Sequence, residues 1–206
     1  MINIKLYCLL SFLLLLIACN KNQTTEATVQ SGEIIPLKVG NTWTTKYTSY
    51  DSLGNTIRTS LDSFKIVRDT LIENEKWFSP TSLISNTHYC NRGDGYYTRY
   101  QEFGSTDKSI TLLWKYPAII SDSFYIPDTY IFVVSTSDPI VVAAGNFVCL
   151  QYKWKYTGWP YQKDVGYGQA WICPNVGIIK SLGYHQLPSG KLFLEYSSEL
   201  IYYNLY

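Results

Sequence analysis

Short segments with a two-residue period dominate the chain from residue 34 onward, and this pattern restricts the fold more than any other feature. In FVCLQYKWKY, residues 147–156, one face of an extended strand carries five apolar or aromatic side chains: Val148, Leu150, Tyr152, Trp154 and Tyr156. Similar segments rich in Tyr, Thr, Val and Ile are separated by turns of Gly, Asn, Asp and Pro. The pattern predicts an all-β domain with an antiparallel sheet, either a sandwich or a curved half-barrel.

Two neighbouring segments also predict a strand register. If FVCLQYKWKY and QAWIC (residues 169–173) form a hairpin whose loop centres near Tyr161, Leu150 lies opposite Ile172 and the apolar faces coincide. The same register places Cys149 opposite Cys173, which predicts a possible disulfide if the chain is exported. The alternative is that both are small buried side chains, and Cys90 is unpaired in either case.

The N-terminus has the composition of an export signal. Lys5 precedes an apolar run of 13 residues, Leu6 to Ala18, interrupted only by one serine. A bilayer-spanning helix needs about 20 residues, so this run is too short to cross a membrane core. A short positive region followed by a short apolar region is typical of a secretory signal peptide.

The end of this run carries a second signal. Leu16-Ile17-Ala18-Cys19 resembles the lipobox of bacterial lipoproteins, which implies cleavage after residue 18 and a diacylglyceryl group on Cys19. The alternative is that Cys19 is an ordinary residue of a signal anchor. Asn20 follows the cysteine, and by resemblance to Gram-negative lipoproteins this favours the outer membrane, with the domain facing either the periplasm or the cell surface.

These signals divide the chain into three parts. Residues 1–18 are interpreted as the lipoprotein signal peptide. Residues 19–33 contain no aromatic side chain, which predicts a lipidated flexible tether. Residues 34–206 are long enough for a single β-rich domain with its own core.

Charge and motifs exclude several functions. The whole chain has 17 basic and 16 acidic residues, and removal of residues 1–18 with Lys5 leaves a formally neutral protein, so no nucleic-acid partner is expected. Sequence patterns of serine hydrolases, zinc peptidases, phosphate-binding loops and C-x-x-C pairs are absent from the sequence. The sequence therefore predicts no catalytic residue, metal or cofactor.

Two neighbouring motifs, His88-Tyr89-Cys90 and Arg92-Gly93-Asp94, resemble functional patterns. His88 and Cys90 would share one face of a strand, and with His185 they could ligate a metal only if the fold brought the three together. An ordinary histidine beside an ordinary cysteine is the favoured alternative. Arg92-Gly93-Asp94 reads as a hairpin turn, because Gly and Asp are residues that turns require.

Aromatic residues make up 16% of the chain, and some occupy a segment expected to be a loop. In TGWPYQKDVGYG, residues 157–168, Trp159, Tyr161 and Tyr167 form a possible aromatic binding loop for a glycan or an envelope protein partner. The alternative is that these rings fold back over the sheet edge and complete the core.

Three segments together resemble a known group of proteins. IPLKVGNTW, VVAAGNFVCLQY and CPNVGIIKS are similar to segments of uncharacterised lipoproteins from Gram-negative bacteria, with Ala143 and Asn175 replacing a proline and a glycine of that pattern. The resemblance implies a β-rich domain and no particular activity. In these segments we expect turns at Gly40-Asn41, at Gly145-Asn146 as a two-residue hairpin loop, and at residues 174–177.

The functional prediction follows from this combination of features. We expect a lipid-anchored cell-envelope lipoprotein, attached to the membrane through its N-terminus, whose β domain binds a ligand or partner without catalysis. One alternative is an envelope glycan hydrolase that uses acids such as Asp94, Glu102 or Asp164. Another is a half-barrel that holds a lipid in an apolar concavity.

Overall fold

A computed structural model describes residues 32–81, 87–101, 108–156 and 166–206, and within these ranges all regular structure is β-strand. No described segment is a helix with the length and hydropathy needed to cross a bilayer. The strands are β1 Thr42–Tyr50, β2 Thr56–Ile72, β3 Glu75–Pro80, β4 Thr87–Arg92, β5 Gly95–Gln101, β6 Lys108–Lys115, β7 Ser123–Ile126, β8 Thr129–Val142, β9 Gly145–Tyr156, β10 Tyr167–Cys173, β11 Gly177–Gln186 and β12 Leu192–Asn204.

These strands form one antiparallel sheet in the order β6-β5-β4-β3-β2-β1-β12-β11-β10-β9-β8-β7. The two edge strands, β6 and β7, follow each other in sequence and contact each other, so the sheet curls into a nearly closed barrel. Tyr152 on β9 donates a hydrogen bond across the interior to the carbonyl oxygen of Lys115, at the end of β6 (2.6 Å). The all-β, curved-barrel prediction is confirmed, and the sandwich alternative is wrong.

The β9–β10 register agrees with the prediction from sequence. Leu150 pairs with Ile172, and Tyr152 pairs with Ala170. All four side chains are at most 1% exposed, because this register directs both apolar faces into the barrel. We refer to this side of the sheet as the inner face and to the opposite side as the outer face.

The predicted turns agree with the structure at two of three positions. Gly40 (φ +102°) precedes β1, and Gly177 (φ +112°) follows the turn after β10. The prediction for Gly145-Asn146 is wrong, because Val142 pairs with Gly145 and the two-residue loop is Ala143-Ala144. Gly145 has φ +138°, so the glycine serves the first position of β9 and not the loop itself.

β8 continues through a segment of turn-forming residues. Ser137, Asp138 and Pro139 suggest a turn in the sequence, yet β8 continues through them with two register shifts against β9. On its other side β8 pairs with β7 only from residue 129 to residue 132. Pro139 therefore lies at a free strand edge, where a missing N–H costs no ladder hydrogen bond.

The segment before β1 is bound to the barrel. The Asn175 backbone N–H donates to the Glu33 carbonyl oxygen (2.7 Å), and the Asn175 side chain accepts from the Glu33 N–H (3.2 Å). Ile34, Ile35 and Leu37 are at most 6% exposed and join the core. The described chain is thus held to the domain from Glu33, the last residue of the predicted tether.

Candidate functional site

Small side chains line the inner face across three neighbouring strands. Ala170 on β10 pairs with Ser181 on β11, and Ser181 pairs with Ser198 on β12. Thr45 on β1 lies on the same face, next to Leu200 of β12. A barrel interior is filled by side chains, so a stretch of Ala, Ser and Thr leaves space unless a neighbour covers it.

The adjacent row of small residues is covered. Gly168 pairs with Gly183, and a Cβ added at these positions would approach ring atoms of Trp154 and Tyr196 to within 2.2 and 2.0 Å respectively. Each glycine therefore accommodates an aromatic ring lying directly over its backbone. Tyr196 is in turn stacked on Tyr47 of β1, with ring centroids 5.6 Å apart. This part of the interior is filled.

Opposite the Ala and Ser row, aromatic rings form a continuous wall. Trp43 contacts Phe64, Phe64 contacts Tyr89 edge-on, and Tyr89 is stacked on Tyr96, with ring centroids 5.4 to 5.7 Å apart. The Trp43 Nε1–H donates to the Val176 carbonyl oxygen at 2.6 Å, which fixes the orientation of the indole. The wall is thus built from β1, β2, β4 and β5, and a hydrogen bond holds its first ring.

The aromatic wall and the small row enclose a cavity of about 420 Å³, which we call the inner cavity. This volume lies within the usual range for small-molecule sites. Among the lining residues, Trp43 and Tyr96 are at most 6% exposed, whereas Ile178 is 37% exposed. Its lining residues are Ile35, Trp43, Thr45, Phe64, Tyr89, Tyr96, Leu113, Trp114, Ile178, Ser181 and Ser198.

Three aliphatic hydroxyls lie on one side of the inner cavity. The hydroxyls of Thr45, Ser181 and Ser198 make no hydrogen bond to any residue in the described part of the chain, and no lining residue is an acid or a base. Burial raises the pKa of Tyr89 and raises that of Tyr96 well above its ordinary value, so both phenols remain neutral. The cavity is therefore uncharged and apolar, with three free hydroxyls at one wall.

The predicted cysteine pair is brought together. Cys149 and Cys173 lie one position beyond the Leu150–Ile172 pair, and both are free thiols. The hydrogen bond between the two thiols, together with burial, raises the pKa of Cys149. The disulfide stays a prediction, which a thiol count on the denatured, unreduced protein would test.

His88 and Cys90 share the outer face of β4, as expected, but their surroundings are not those of a metal site. His88 Nδ1 lies 2.8 Å from Ser79 Oγ, and burial, Arg68 and Arg99 lower the pKa of its imidazole. No group of three potential metal ligands occurs among the described residues. His185 lies on β11, with its ring 5.6 Å from that of Phe193.

Cys90 belongs to a partly buried cluster on the outer face of β3, β4 and β5, which we call the Trp77 cluster: Glu75, Trp77, Cys90, Arg92 and Arg99. Trp77 is fully buried, and the Arg92 guanidinium lies 5.6 Å from its ring centroid. Arg92 Nε and Nη2 each donate to one Glu75 carboxylate oxygen at 2.7 Å. Burial, and then the Glu75 carboxylate, raise the pKa of Cys90 to about 12, so the thiol stays protonated and unreactive.

The remaining predicted residues are distributed as follows. Tyr167 begins β10 on the outer face, where its ring is stacked on Tyr184. Asp94 lies in the exposed β4–β5 turn, consistent with the turn interpretation of residues 92–94, and accepts a hydrogen bond from the Tyr97 hydroxyl at 2.8 Å. Outside the described residues lie Cys19, Glu102, Trp159, Tyr161 and Asp164.

The sequence offered an apolar concavity as an alternative but did not identify the residues that line the inner cavity. The available signal was polarity at positions expected to be inward, because Ser181 lies two residues from buried Ile179, and Ser198 lies two residues from buried Leu200. No comparable pattern in the sequence marks Thr45. It lies beside the serines of the inner cavity only because β1, the first strand, pairs with β12, the last.

Comparisons with known proteins give matches among solved structures alone. Neither the protein-family models nor the curated proteins match this chain. A "putative lipoprotein" from Parabacteroides distasonis ATCC 8503 matches with a TM-score of 0.48 and 15% identity, over 85% of this chain and 100% of its own. A "putative exported protein" with a YmcC-like fold from Bacteroides fragilis NCTC 9343 matches with a TM-score of 0.47 at the same identity and coverage.

Proposed function

We propose that this protein is a lipid-anchored envelope lipoprotein whose β-barrel binds an uncharged amphiphile in the inner cavity. The observation that carries the proposal is the cavity itself, about 420 Å³ between an aromatic wall and three free hydroxyls. Large apolar concavities with a few convergent polar groups are typical of ligand sites. The lipid-binding half-barrel, an alternative at the level of sequence, is thereby favoured over a hydrolase.

The lining defines the class of ligand. The rings of Trp43, Phe64 and Tyr96 provide an apolar surface against which an acyl chain or a similar body can pack. Thr45 and the two serines offer hydroxyls that can both donate and accept hydrogen bonds, which suits a hydroxyl or ester group. A charged head group would be left without a counter-ion among the lining residues, and burying such a charge is costly.

The hydrolase alternative gains little from the described residues. Of the three acids that it names, Asp94 lies in an exposed turn and is hydrogen bonded to Tyr97, and it does not face the inner cavity. Glu102 and Asp164 lie outside the described residues.

The test is ligand binding to the mature chain, residues 19–206, with Cys19→Ser to prevent lipidation. Monolauroylglycerol and laurate share one acyl chain and differ in the charge of the head group. We expect monolauroylglycerol to bind at least tenfold more tightly, with a change in tryptophan fluorescence, since Trp43 and Trp114 line the cavity. Equal or preferential binding of ionised laurate would contradict the uncharged-ligand proposal.

A cavity-filling variant locates the site. Ser198→Leu adds volume to the inner cavity, so we expect monolauroylglycerol binding to fall at least tenfold while the fold is retained. Ser197→Leu is the matched control, because Ser197 is the preceding residue on β12 and its side chain bonds to Tyr50 away from the cavity lining. Binding that survives Ser198→Leu unchanged would exclude the inner cavity.

The anchor is tested separately. The proposal that Cys19 is lipidated, and that Asn20 sends the protein to the outer membrane, rests on the lipobox-like segment that ends at Ala18-Cys19. Acyl chains contribute about 0.8 kcal/mol per buried methylene, so several chains hold a protein firmly on a membrane. Cys19→Ala should release the protein from membranes, and unchanged retention of the variant would refute lipidation.

A further inference from the structure

A second concave region is lined mainly by outer-face side chains of β8 to β12, and of its lining residues Trp154 belongs to the interior. The region encloses about 450 Å³, and we call it the outer groove. Its lining residues are Phe132, Lys153, Trp154, Lys155, Tyr167, Gln186 and Leu192.

The strand register arranges the outer groove as two rows of side chains. Tyr130, Lys155, Tyr167 and Tyr184 are successive partners across β8, β9, β10 and β11. In the next row, Phe132 pairs with Lys153, and Lys153 pairs with Gln169. Both rows therefore place a lysine of β9 between aromatic or amide side chains of the adjacent strands.

Aromatic pairs flank the two lysines on both sides. Tyr167 and Tyr184 are stacked with ring centroids 4.8 Å apart. On the other side Tyr130 contacts both Tyr125 (4.7 Å) and Phe132 (6.1 Å). Neighbouring strands are about 4.8 Å apart, so the platform from β8 to β11 extends about 14 Å, which exceeds a single pyranose ring.

Two lysines, Lys153 and Lys155, line the outer groove. In the described part of the chain, no carboxylate forms an ion pair with Lys153 or Lys155, whereas Lys180 on the same outer face is paired with Glu199 at 2.7 Å. No described acid lines the outer groove. Because the formal net charge of the whole chain is only +1, two neighbouring cations without a described carboxylate partner create a local positive site rather than a general basic surface.

We propose that the outer groove binds an anionic polysaccharide. Tyr167 and Phe132, which line the groove, stack on the apolar faces of sugar rings, and Lys153 and Lys155 pair with carboxylate or phosphate groups along the polymer. An acidic peptide would use the lysines but not the row of ring faces, and a neutral glycan would use the rings but not the lysines. An acidic glycan matches both features.

The test uses the mature lipidated protein in vesicles of phosphatidylcholine and measures its binding to fluorescent polygalacturonate, neutral dextran and polyglutamate. We expect polygalacturonate to bind at least tenfold more tightly than either of the other polymers. Comparable binding of polyglutamate would indicate that the groove binds anions or peptides in general. Comparable binding of dextran would indicate that the lysines do not contribute to binding. Either result would overturn the proposal.

Matched variants locate the binding. The double substitution Lys153→Gln/Lys155→Gln should weaken polygalacturonate binding about tenfold. Lys46→Gln/Lys65→Gln removes the same charge from two exposed lysines on β1 and β2 and should leave binding unchanged. Equal losses in both double variants would show a nonspecific charge effect and would contradict a site in the groove.

The aromatic contribution is tested at one residue. Tyr167→Phe retains the ring and should bind polygalacturonate within about twofold of the unchanged protein, whereas Tyr167→Ala should lose most of the binding. Circular dichroism of the same preparations distinguishes loss of the site from loss of the fold. A folded Tyr167→Ala protein with full binding would exclude stacking at this position.

Discussion

The outer surface of the sheet carries two clusters of cations and aromatic rings, and they differ in whether the charges are paired. In the Trp77 cluster, Arg92 makes two 2.7 Å hydrogen bonds to Glu75, and the buried Arg99 lies 3.3 Å from a Glu73 carboxylate oxygen. In the outer groove, Lys153 and Lys155 have no described carboxylate partner. The first cluster therefore pairs its charges within the chain, and the second forms no ion pair among the described residues.

The two clusters also differ in the solvent exposure of their side chains. Trp77 is fully buried and Arg99 is 4% exposed, whereas Tyr125 beside the outer groove is 73% exposed. A buried ring with paired charges around it acts as a small second core, and exposed rings around free charges form a surface for contact with other molecules. In this protein, side-chain composition alone therefore does not distinguish a structural cluster from a binding surface.

The largest expected difference between the two clusters is in stability. Trp77→Ala removes a fully buried indole, and we expect the free energy of unfolding to fall by about 3–5 kcal/mol. Tyr125→Ala, at an exposed position, should cost less than about 1 kcal/mol. Urea denaturation of both variants gives the two values, and similar losses would show that the clusters do not differ in their structural role.

A smaller difference should appear in the dependence of stability on pH. The hydrogen bonds from Arg92 hold the pKa of Glu75 below its ordinary value of 4.5, so ionisation of this carboxylate stabilises the fold above that value. The contribution is lost as the pH falls through the lowered pKa. Because both side chains are about one third exposed, we expect Glu75→Gln to cost about 1 kcal/mol at pH 7.

The measurement is the difference in unfolding free energy between the unchanged protein and Glu75→Gln from pH 7 to pH 3. The difference should be constant above about pH 5 and should shrink at lower pH. Glu195→Gln, an exposed position on β12, is the control and should show no such trend. A difference that grows on acidification would mean that Glu75 does not stabilise the fold in its ionised form.

The fold was more accessible from sequence than the sites, for a physical reason. The alternation of Leu150, Tyr152 and Trp154 depends only on local chain geometry, so the β9–β10 register could be obtained from two short segments. The loop at Ala143-Ala144 was misplaced because glycine at position 145 serves a strand residue with positive φ, and turn propensity cannot distinguish the two uses.

The candidate sites depend on strand order, which local patterns do not contain. The inner cavity needs Thr45 of β1 beside Ser198 of β12, and these come from opposite ends of the domain. In the outer groove, Tyr167 was recognised from its position near a loop, but Lys153 looked like an ordinary polar residue on a solvated face. A binding role for Lys153 is indicated only when the strand order is known, because the neighbouring strands then place aromatic rings, and no described acid, beside it.

The smallest expected effect concerns the lysines of the outer groove. Lys153→Gln/Lys155→Gln removes two charges that have no described partner, so no opposite charge is left unpaired and the free energy of unfolding should change by less than about 0.5 kcal/mol. Lys180→Gln should cost slightly more, because it leaves Glu199 without its 2.7 Å partner. If the groove variant were the less stable of the two in urea denaturation, its lysines would have a structural role, and the distinction between paired and available charge would fail.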